Sequence, residues 1–265
     1  MPLFHLVLVA IVQGITEFLP VSSSGHLILL PNLTGLDDQG LVIDVAVHVG
    51  TLGAVVLYFW SDVRRCFFGL FKLADKTDPD ARLALGLVVA TIPVVIAGLL
   101  LKLSGYDESL RTITVVGWST VVFGIVLYWA DQTGTDEKSA NDWTLKDAII
   151  MGVWQMLALI PGTSRSGVTI TAARQLGYKR SEAARLAMLM SVPTILASGT
   201  LIGVDVATSM DAAAARDGAV AAVFAFFAAL GALHFMMRLL QSVSFTPYVL
   251  YRIALGVVLL LIAYT

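Results

Sequence analysis

Six apolar runs, each long enough to cross a lipid bilayer, constrain this 265-residue chain more than any other feature. A bilayer core about 30 Å thick needs about 20 mostly apolar residues per helical span. Only 14% of the residues are charged, against roughly 25% in an ordinary soluble domain, which excludes a single packed core with a polar surface. The sequence therefore predicts an all-α polytopic membrane protein with a single membrane domain, residues 1–265. The predicted spans are 41–60, 84–103, 112–130, 183–203, 218–237 and 246–264.

Two pairs of shorter apolar segments are predicted to enter the membrane without crossing it. The first pair is 3–19 with 26–34, and the second is 147–161 with 168–176. Each pair flanks a stretch rich in Pro, Gly and Ser: residues 20–26, the first polar loop, and residues 161–167, the second polar loop. Non-helical backbone at membrane depth is tolerated only where protein or a wet cavity satisfies its polar groups. We therefore expect two re-entrant helix-loop-helix pairs whose loops face one shared cavity.

The two polar loops are copies of each other. A shift of 142 residues places Ser22 on Ser164 and Gly25 on Gly167. Each copy comprises one re-entrant pair and three spans, and because three is odd, the second copy enters the membrane from the opposite side. This arrangement is an inverted-topology repeat, in which functional sites lie on broken helices at the repeat interface. Repeat one covers 1–131, the linker covers 132–146, and repeat two covers 147–265.

The charged residues indicate an orientation and exclude some partners. With the N-terminus outside, twelve of the 17 Lys and Arg residues fall in inside loops and three in outside loops, which favours both termini outside. The net charge of −2, without a basic stripe, argues against nucleic acid as a partner. A single cysteine, Cys66, excludes an intramolecular disulfide and a CxxC site.

Ionisable side chains within membrane segments are functional candidates by default, because burying a charge there is costly. Glu17, His26 and Arg165 meet this criterion, and Asp44 meets it more weakly. Glu17 follows Gln13 by four residues, so both project from one helix face. With the hydroxyls of both polar loops, these groups describe a site for an oxyanion, and phosphoryl groups fit best.

Several roles at this site stay open on the residues alone. His26 lies close enough to Ser23 and Ser24 to activate a serine nucleophile. A carboxylate in the same pocket could hold a divalent cation or orient the imidazole. Asp44 and His48, at i and i+4, are either a solvated or hydrogen-bonded helix end or part of a vestibule. Arg252 is either paired within the bundle or extended towards the interface.

The two polar loops and their flanks resemble the signature motifs of undecaprenyl-diphosphate phosphatases of the bacitracin-resistance family. The matching runs are Gln13-Gly14-Ile15-Thr16-Glu17-Phe18-Leu19-Pro20-Val21-Ser22-Ser23-Ser24-Gly25-His26 and Pro161-Gly162-Thr163-Ser164-Arg165-Ser166-Gly167-Val168-Thr169. The likeness extends over essentially the whole chain, including Phe245-Thr246-Pro247 and Tyr251-Arg252.

The resemblance implies a multi-pass enzyme of the bacterial inner membrane whose active site faces the periplasm. Its reaction would be hydrolysis of undecaprenyl diphosphate to undecaprenyl phosphate and phosphate, which recycles the lipid carrier of cell-wall synthesis and confers bacitracin resistance. It implies a polyprenyl diphosphate and membrane lipid as partners, leaves a homodimer open, and implies a divalent cation, Mg²⁺ or Ca²⁺, near Glu17. The family's first acidic position is Gln13 here, which disfavours a mechanism with two carboxylates. The implied catalytic residues are Glu17, Ser23, His26 and Arg165.

Our mechanistic hypothesis is attack by Ser23 on the terminal phosphorus with His26 as the base, followed by hydrolysis of the phospho-enzyme. A variant makes His26 the nucleophile. In either case Arg165 and a metal near Glu17 would neutralise charge on the transferred group. The alternative function is a polyprenyl-phosphate transporter or flippase that uses the same anion site. The predicted substrate-binding residues are Gln13, Ser22, Ser24, Gly162, Thr163, Ser164, Ser166 and Thr169.

Overall fold

Eleven α-helices form the part of the chain that this computed structural model describes: residues 2–35, 39–75, 77–106, 109–209 and 212–265. No β-strand occurs within those ranges. The helices are α1 (Leu3–Phe18), α2 (Ser23–Thr34), α3 (Leu41–Tyr58), α4 (Trp60–Gly69), α5 (Pro79–Ser104), α6 (Ile113–Thr133), α7 (Leu145–Met156), α8 (Arg165–Gln175), α9 (Arg180–Ser209), α10 (Ala212–Leu239) and α11 (Thr246–Tyr264).

Six of the described helices are long and apolar enough to span a membrane: α3, α5, α6, α9 over Arg180–Thr200, α10 and α11. They correspond one to one with the six runs expected from the sequence, which confirms an all-helical chain with six apolar helices of spanning length. Helix α5 begins earlier than the apolar run because Asp78 caps it, accepting from the backbone N–H groups of Asp80 and Ala81. Pro79 at the first helical position suits this start.

Four shorter helices, α1, α2, α7 and α8, carry the two polar loops. Helix α1 ends at Phe18 and α2 begins at Ser23, while α7 ends at Met156 and α8 begins at Arg165. These bounds lie within a few residues of the short apolar segments of the sequence, with the polar loops at both breaks.

Close backbone contacts fix α1 and α7 against spanning helices. Helix α1 packs on α10, and α7 packs on α5. A Cβ on Gly14 would lie 2.6 Å from the carbonyl oxygen of Ala225, and one on Gly152 would lie 2.6 Å from that of Ala90. The absence of a side chain therefore lets each broken helix approach its neighbour, as small residues do in membrane bundles. Helices α6 and α11 pack together, and α2 and α8 both contact α6.

The sequence did not predict α4, which follows α3 after a single residue, Phe59. This segment contains several charged residues, so its hydropathy predicts a loop. It is held as a helix by tertiary contacts: the buried Asp62 carboxylate accepts from Arg185 of α9, and Gly69 packs against the backbone of Asp80.

Candidate active site

The two polar loops share one unusual backbone geometry. Ser22 and Ser164 have φ of +72° and +71°, a left-handed conformation that is uncommon for residues other than glycine. Each caps the following helix: the Ser22 hydroxyl accepts from the N–H of Gly25 at 3.4 Å, and the Ser164 hydroxyl accepts from that of Gly167 at 3.2 Å. The sequence repeat is therefore also a repeat of local structure, and it leaves two helix N-termini beside the loops.

The loops touch each other. The N–H of Gly162 donates to the Ser24 hydroxyl at 3.2 Å, and the Ser166 hydroxyl donates to the carbonyl of Leu19 at 3.0 Å. Gly162 itself has φ of +90°, and a Cβ there would collide with the Ser119 hydroxyl and the Val116 carbonyl. The juxtaposition that the sequence led us to expect is thus present, and it depends on a glycine at this position.

Glu17 is the centre of the polar contacts. Its Oε1 accepts from Nη2 of Arg165 at 2.7 Å, and its Oε2 accepts from Nε2 of Gln13 at 2.8 Å and from the Ser23 hydroxyl at 2.9 Å. The carboxylate is buried, so these donors replace the water it would otherwise bind. The structure therefore brings a carboxylate, a guanidinium and one serine hydroxyl into a single cluster.

His26 lies at the end of the first polar loop and makes no hydrogen bond to Ser23. Its Nδ1 donates to the carbonyl of Ser22 at 2.7 Å, and its Nε2 accepts from the hydroxyl of Tyr251 at 2.5 Å. A carbonyl can only accept, which assigns the proton to Nδ1. Both ring nitrogens are therefore engaged elsewhere, and the carboxylate of Glu17 is the group beside the serine.

His48 joins the cluster from α3, a contact that sequence spacing alone left open. Its Nδ1 donates to the Asp44 carbonyl at 2.7 Å, and its Nε2 accepts from the Gln13 amide at 3.2 Å. The same nitrogen lies 3.7 Å from Oε2 of Glu17. His48 is therefore hydrogen-bonded at this helix end and also contacts the cluster, and a vestibule role for it stays a prediction.

Two adjoining cavities meet at this cluster. One of about 240 Å³ is lined by Glu17, Arg165 and residues of α5 and α9, and the other of about 550 Å³ is lined by Gln13, Asp44 and Arg111. Ser23, Ser24 and His48 line both. The hydroxyls that carry the proposed chemistry thus lie where the two spaces join.

The other predicted binding residues divide into two groups. Ser22 and Ser164 line the smaller cavity beside Ser24. Three more are fully or nearly fully buried, and none of them lines either cavity: Thr163, Ser166 and Thr169. Thr169 donates to the Arg165 carbonyl at 2.8 Å, so its hydroxyl is used within α8. The carbonyl of Gly162, likewise, accepts from a buried arginine.

That arginine is Arg252 of α11, for which the sequence offered a partner within the bundle or a side chain extended towards the interface. It is fully buried, and its guanidinium donates to the carbonyls of Pro20, Gly162 and Thr163 at 3.3, 3.1 and 2.9 Å. Its Nε donates to the Thr120 carbonyl of α6 at 3.2 Å. No carboxylate of the described residues lies within ion-pair distance of it. The expectation that Arg252 is paired within the bundle is therefore confirmed, with backbone carbonyls as its partners, and the extended side chain is wrong.

The donor atoms beside Glu17 suit a hard divalent cation. Oε1 of Gln13 is buried and accepts no hydrogen bond, which leaves an oxygen ligand unused next to the carboxylate. Among the described residues, no group of three or more His, Cys, Asp or Glu side chains is placed to bind a metal. A cation here would therefore complete its coordination with water and phosphate oxygens, as Mg²⁺ commonly does.

Fold and site together define a class: polytopic helical membrane proteins with a buried carboxylate that accepts hydrogen bonds from a partly buried serine and a partly buried guanidinium. The chain belongs to the family described as bacitracin resistance protein BacA, whose model matches residues 6–258. It is 67% identical over the full length of both chains to an undecaprenyl-diphosphatase of Ruegeria pomeroyi, and 63% identical, again over both full lengths, to one of Jannaschia sp.. It is also 45% identical to undecaprenyl-diphosphatase 1 of Rhodospirillum rubrum, over 100% of this chain and 96% of that one. These similarities confirm the family that the motifs indicated.

Proposed function

We propose that this protein hydrolyses undecaprenyl diphosphate to undecaprenyl phosphate and inorganic phosphate. The observation that carries the proposal is the cluster in which Glu17 accepts hydrogen bonds from both Ser23 and Arg165. Phosphoryl transfer uses a nucleophile, an adjacent proton acceptor and a positive charge beside the transferred group. Here these are Ser23, Glu17 and Arg165. Full-length relatives named undecaprenyl-diphosphatase support the same substrate.

In the first step, the Ser23 oxygen attacks the terminal phosphorus while its proton passes to Glu17, the group it already contacts. The bond from that phosphorus to the bridging oxygen breaks, and undecaprenyl phosphate leaves. In the second step, water attacks the phosphorus of the phosphoserine, the bond from that phosphorus to the Ser23 oxygen breaks, and Glu17 returns its proton to this oxygen while phosphate leaves with the protons of the water. Arg165 stabilises negative charge on the transferred group in both steps.

The hypothesis from the sequence made His26 the base, whereas in this mechanism the base is Glu17. The Ser23 hydroxyl lies 2.9 Å from the carboxylate, whereas both nitrogens of His26 bind other groups. His26 then has a supporting role, holding the first polar loop through Ser22. The variant in which His26 is the nucleophile requires its Nε2 to leave the Tyr251 hydroxyl. An acid-stable phosphoserine and an acid-labile phosphohistidine distinguish the two.

We also propose that a divalent cation, Mg²⁺ or Ca²⁺, binds at Glu17 with Oε1 of Gln13 as a second ligand. When bound, it supplies positive charge to the diphosphate oxygens and so lowers the cost of charge on the transferred group. Ser22, Ser24 and Ser164, which line the smaller cavity, are proposed to hold the diphosphate by hydrogen bonds. Four further residues are proposed to pack behind these serines and so to fix the shape of the diphosphate site: Gly162, Thr163, Ser166 and Thr169.

We infer an inverted repeat with the boundaries 1–131, 132–146 and 147–265, and with both termini outside. The matching geometry of Ser22 and Ser164 supports the repeat, and the loop charges support the orientation, apart from Lys76, which lies outside the described residues. In a bacterial inner membrane, this orientation directs the shared site towards the periplasm. There it would recycle the lipid carrier and confer bacitracin resistance. A homodimer stays a prediction.

A transporter of polyprenyl phosphate is the alternative that an inverted repeat on broken helices favours. An assay of phosphate release distinguishes the phosphatase from the transporter. Purified protein is given farnesyl or undecaprenyl diphosphate with Mg²⁺. The phosphatase proposal expects release by the unaltered protein and by Ser242→Ala, which removes an exposed hydroxyl. It expects none by Ser23→Ala. Absence of release from the unaltered protein with a divalent cation present would favour transport.

A further inference from the structure

The end of the bundle where α3 finishes and α5 begins carries a second polar site, remote from the polar loops in the chain. A cavity of about 80 Å³ lies between α4, α5, α9 and the turn at 140–143. Three arginines line it, Arg65, Arg82 and Arg185, with Asn141 and Trp143. No carboxylate is among its lining residues, so the polar groups that line it are mainly N–H donors, beside apolar residues of α5 and α9.

Carboxylates near this cavity bind two of the arginines, and Asp62 accepts from both Nε and Nη2 of Arg185. Asp80 accepts from Nε of Arg65 at 2.7 Å, and Asp62 accepts from Nε of Arg185 at 2.8 Å. Glu182 lies 3.4 Å from Nη1 of Arg185. These contacts hold the two guanidiniums in place. Arg82, which is exposed, has no carboxylate partner among the described residues.

Trp143 supplies an independent indication of a ligand. The side chain is 5% exposed, and its Nε1 is buried without any hydrogen-bond partner. A buried N–H group without a partner costs free energy, and because Trp143 lines the cavity, an acceptor bound beside the indole would recover that cost. The unsatisfied group is a donor, and this matches the arginines in calling for an anion.

An apolar groove adjoins the cavity on the other side of Arg82 and Trp143. It has a volume of about 270 Å³ and is lined by both of these residues together with Leu73, Ala81, Leu85 and Leu145, and by the Asp75 carboxylate at its edge. A ligand that fits both spaces carries a phosphate at one end and a hydrocarbon chain at the other.

The surface next to the groove fits a position at the membrane interface. The segment from α4 to Lys72 exposes Trp60, Phe67, Phe68 and Phe71, and the Arg64 guanidinium lies 5.7 Å from the ring centre of Phe68. Exposed aromatic residues beside basic ones are typical of segments that lie in the headgroup region of a bilayer.

We propose that this cavity and groove bind one anionic phospholipid, with the headgroup phosphate between Arg65, Arg82, Arg185 and Nε1 of Trp143 and an acyl chain along the groove. The site is separate from the diphosphate site and serves the stability of the folded chain in its membrane. The lipid proposal requires only that the chain is a membrane protein. It can therefore be wrong while the phosphatase proposal is right, and it can be right while the phosphatase proposal is wrong.

The test measures lipid binding to purified, delipidated protein in detergent. We expect phosphatidylglycerol to raise the thermal unfolding temperature and to remain bound in native mass spectra, and phosphatidylcholine to do so much less. Arg82→Gln should weaken phosphatidylglycerol binding at least fivefold. Arg216→Gln, the same charge change at an exposed position on α10, should leave it unaltered. Phosphate release in detergent should be the same in both variants.

Two further measurements complete the test. Trp143→Phe keeps the ring but removes the donor, and should also weaken binding. Equal binding by Arg82→Gln and Arg216→Gln would overturn the proposal. Stabilisation by millimolar inorganic phosphate as strong as that by phosphatidylglycerol would also overturn it, because the site would then hold a free anion.

Discussion

Arg165 and Glu17, 148 residues apart in the chain, form a hydrogen-bonded ion pair of 2.7 Å that joins α1 to the second polar loop. The two side chains are only 14% and 7% exposed. The pair therefore links the two halves of the chain at the point where Ser23 also binds the carboxylate. Its geometry places a guanidinium and a carboxylate in one cluster with the Ser23 hydroxyl.

Loss of Arg165 should reduce both activity and stability. Arg165→Ala removes transition-state charge stabilisation, so turnover should fall on the order of a thousandfold. It also leaves the Glu17 carboxylate buried without its cation, which should lower the free energy of unfolding by about 3 kcal/mol. Rates of phosphate release and chemical unfolding in detergent measure the two effects.

The double variant Glu17→Gln with Arg165→Met is the matched control for stability. It removes both charges, so it should be more stable than Arg165→Ala while remaining inactive. If Arg165→Ala kept near-normal turnover, Arg165 would have no part in the chemistry.

Arg252 should act on the polar loops as a positioning residue. Arg252→Met removes all its donors to the loop carbonyls, whereas Arg252→Lys keeps the charge but fewer of the hydrogen bonds. We expect kcat to fall about tenfold or more in the methionine variant, with partial recovery in the lysine variant. Steady-state kinetics at equal folded fraction measures this. Identical kcat in the unaltered protein and Arg252→Met would show that the loops do not need these bonds.

Gly162 should tolerate no side chain. Gly162→Ala forces a Cβ onto a residue with φ of +90° and against Ser119, so we expect lost activity and a lower unfolding temperature. Gly231→Ala is the control, since a Cβ there meets no atom within 4 Å. It should be neutral or slightly stabilising, because alanine favours a helix. Equal behaviour of the two variants would contradict the assigned role of Gly162.

Cys66 should react slowly with thiol reagents. Burial and, next, the Asp62 carboxylate raise the pKa of its thiol to about 12, so the reactive thiolate is about one part in ten thousand near pH 8. The labelling rate should therefore rise about tenfold per pH unit up to that pKa. Ser104→Cys, at an exposed position, should label far faster near pH 8. A native cysteine that labels as fast as this control would contradict the raised pKa.

The sequence was sufficient for the features that follow from hydropathy and local motifs. The apolar runs predicted the six long helices, and Pro and Ser at both polar loops predicted where the short ones break. It could not supply contacts made between distant segments. The Tyr251 hydroxyl on His26 and the carbonyls around Arg252 arise from the packing of α11, which no local pattern encodes.

His48 illustrates the same limit at the site. Its spacing from Asp44 showed a shared helix face, but only the packing of α3 against α1 places its Nε2 beside Gln13. Helix α4 was missed for a related reason, since tertiary contacts of Asp62 and Gly69 hold a segment whose charges resemble a loop.

The most direct test of the mechanism is to trap the phospho-enzyme. Purified protein is mixed with prenyl diphosphate labelled in the terminal phosphate, quenched in acid within one turnover, digested and sequenced by mass spectrometry. We predict an acid-stable phosphate on Ser23 in the unaltered protein and none in Ser23→Ala. Label on His26, or phosphate release without any label on Ser23, would contradict Ser23 as the nucleophile.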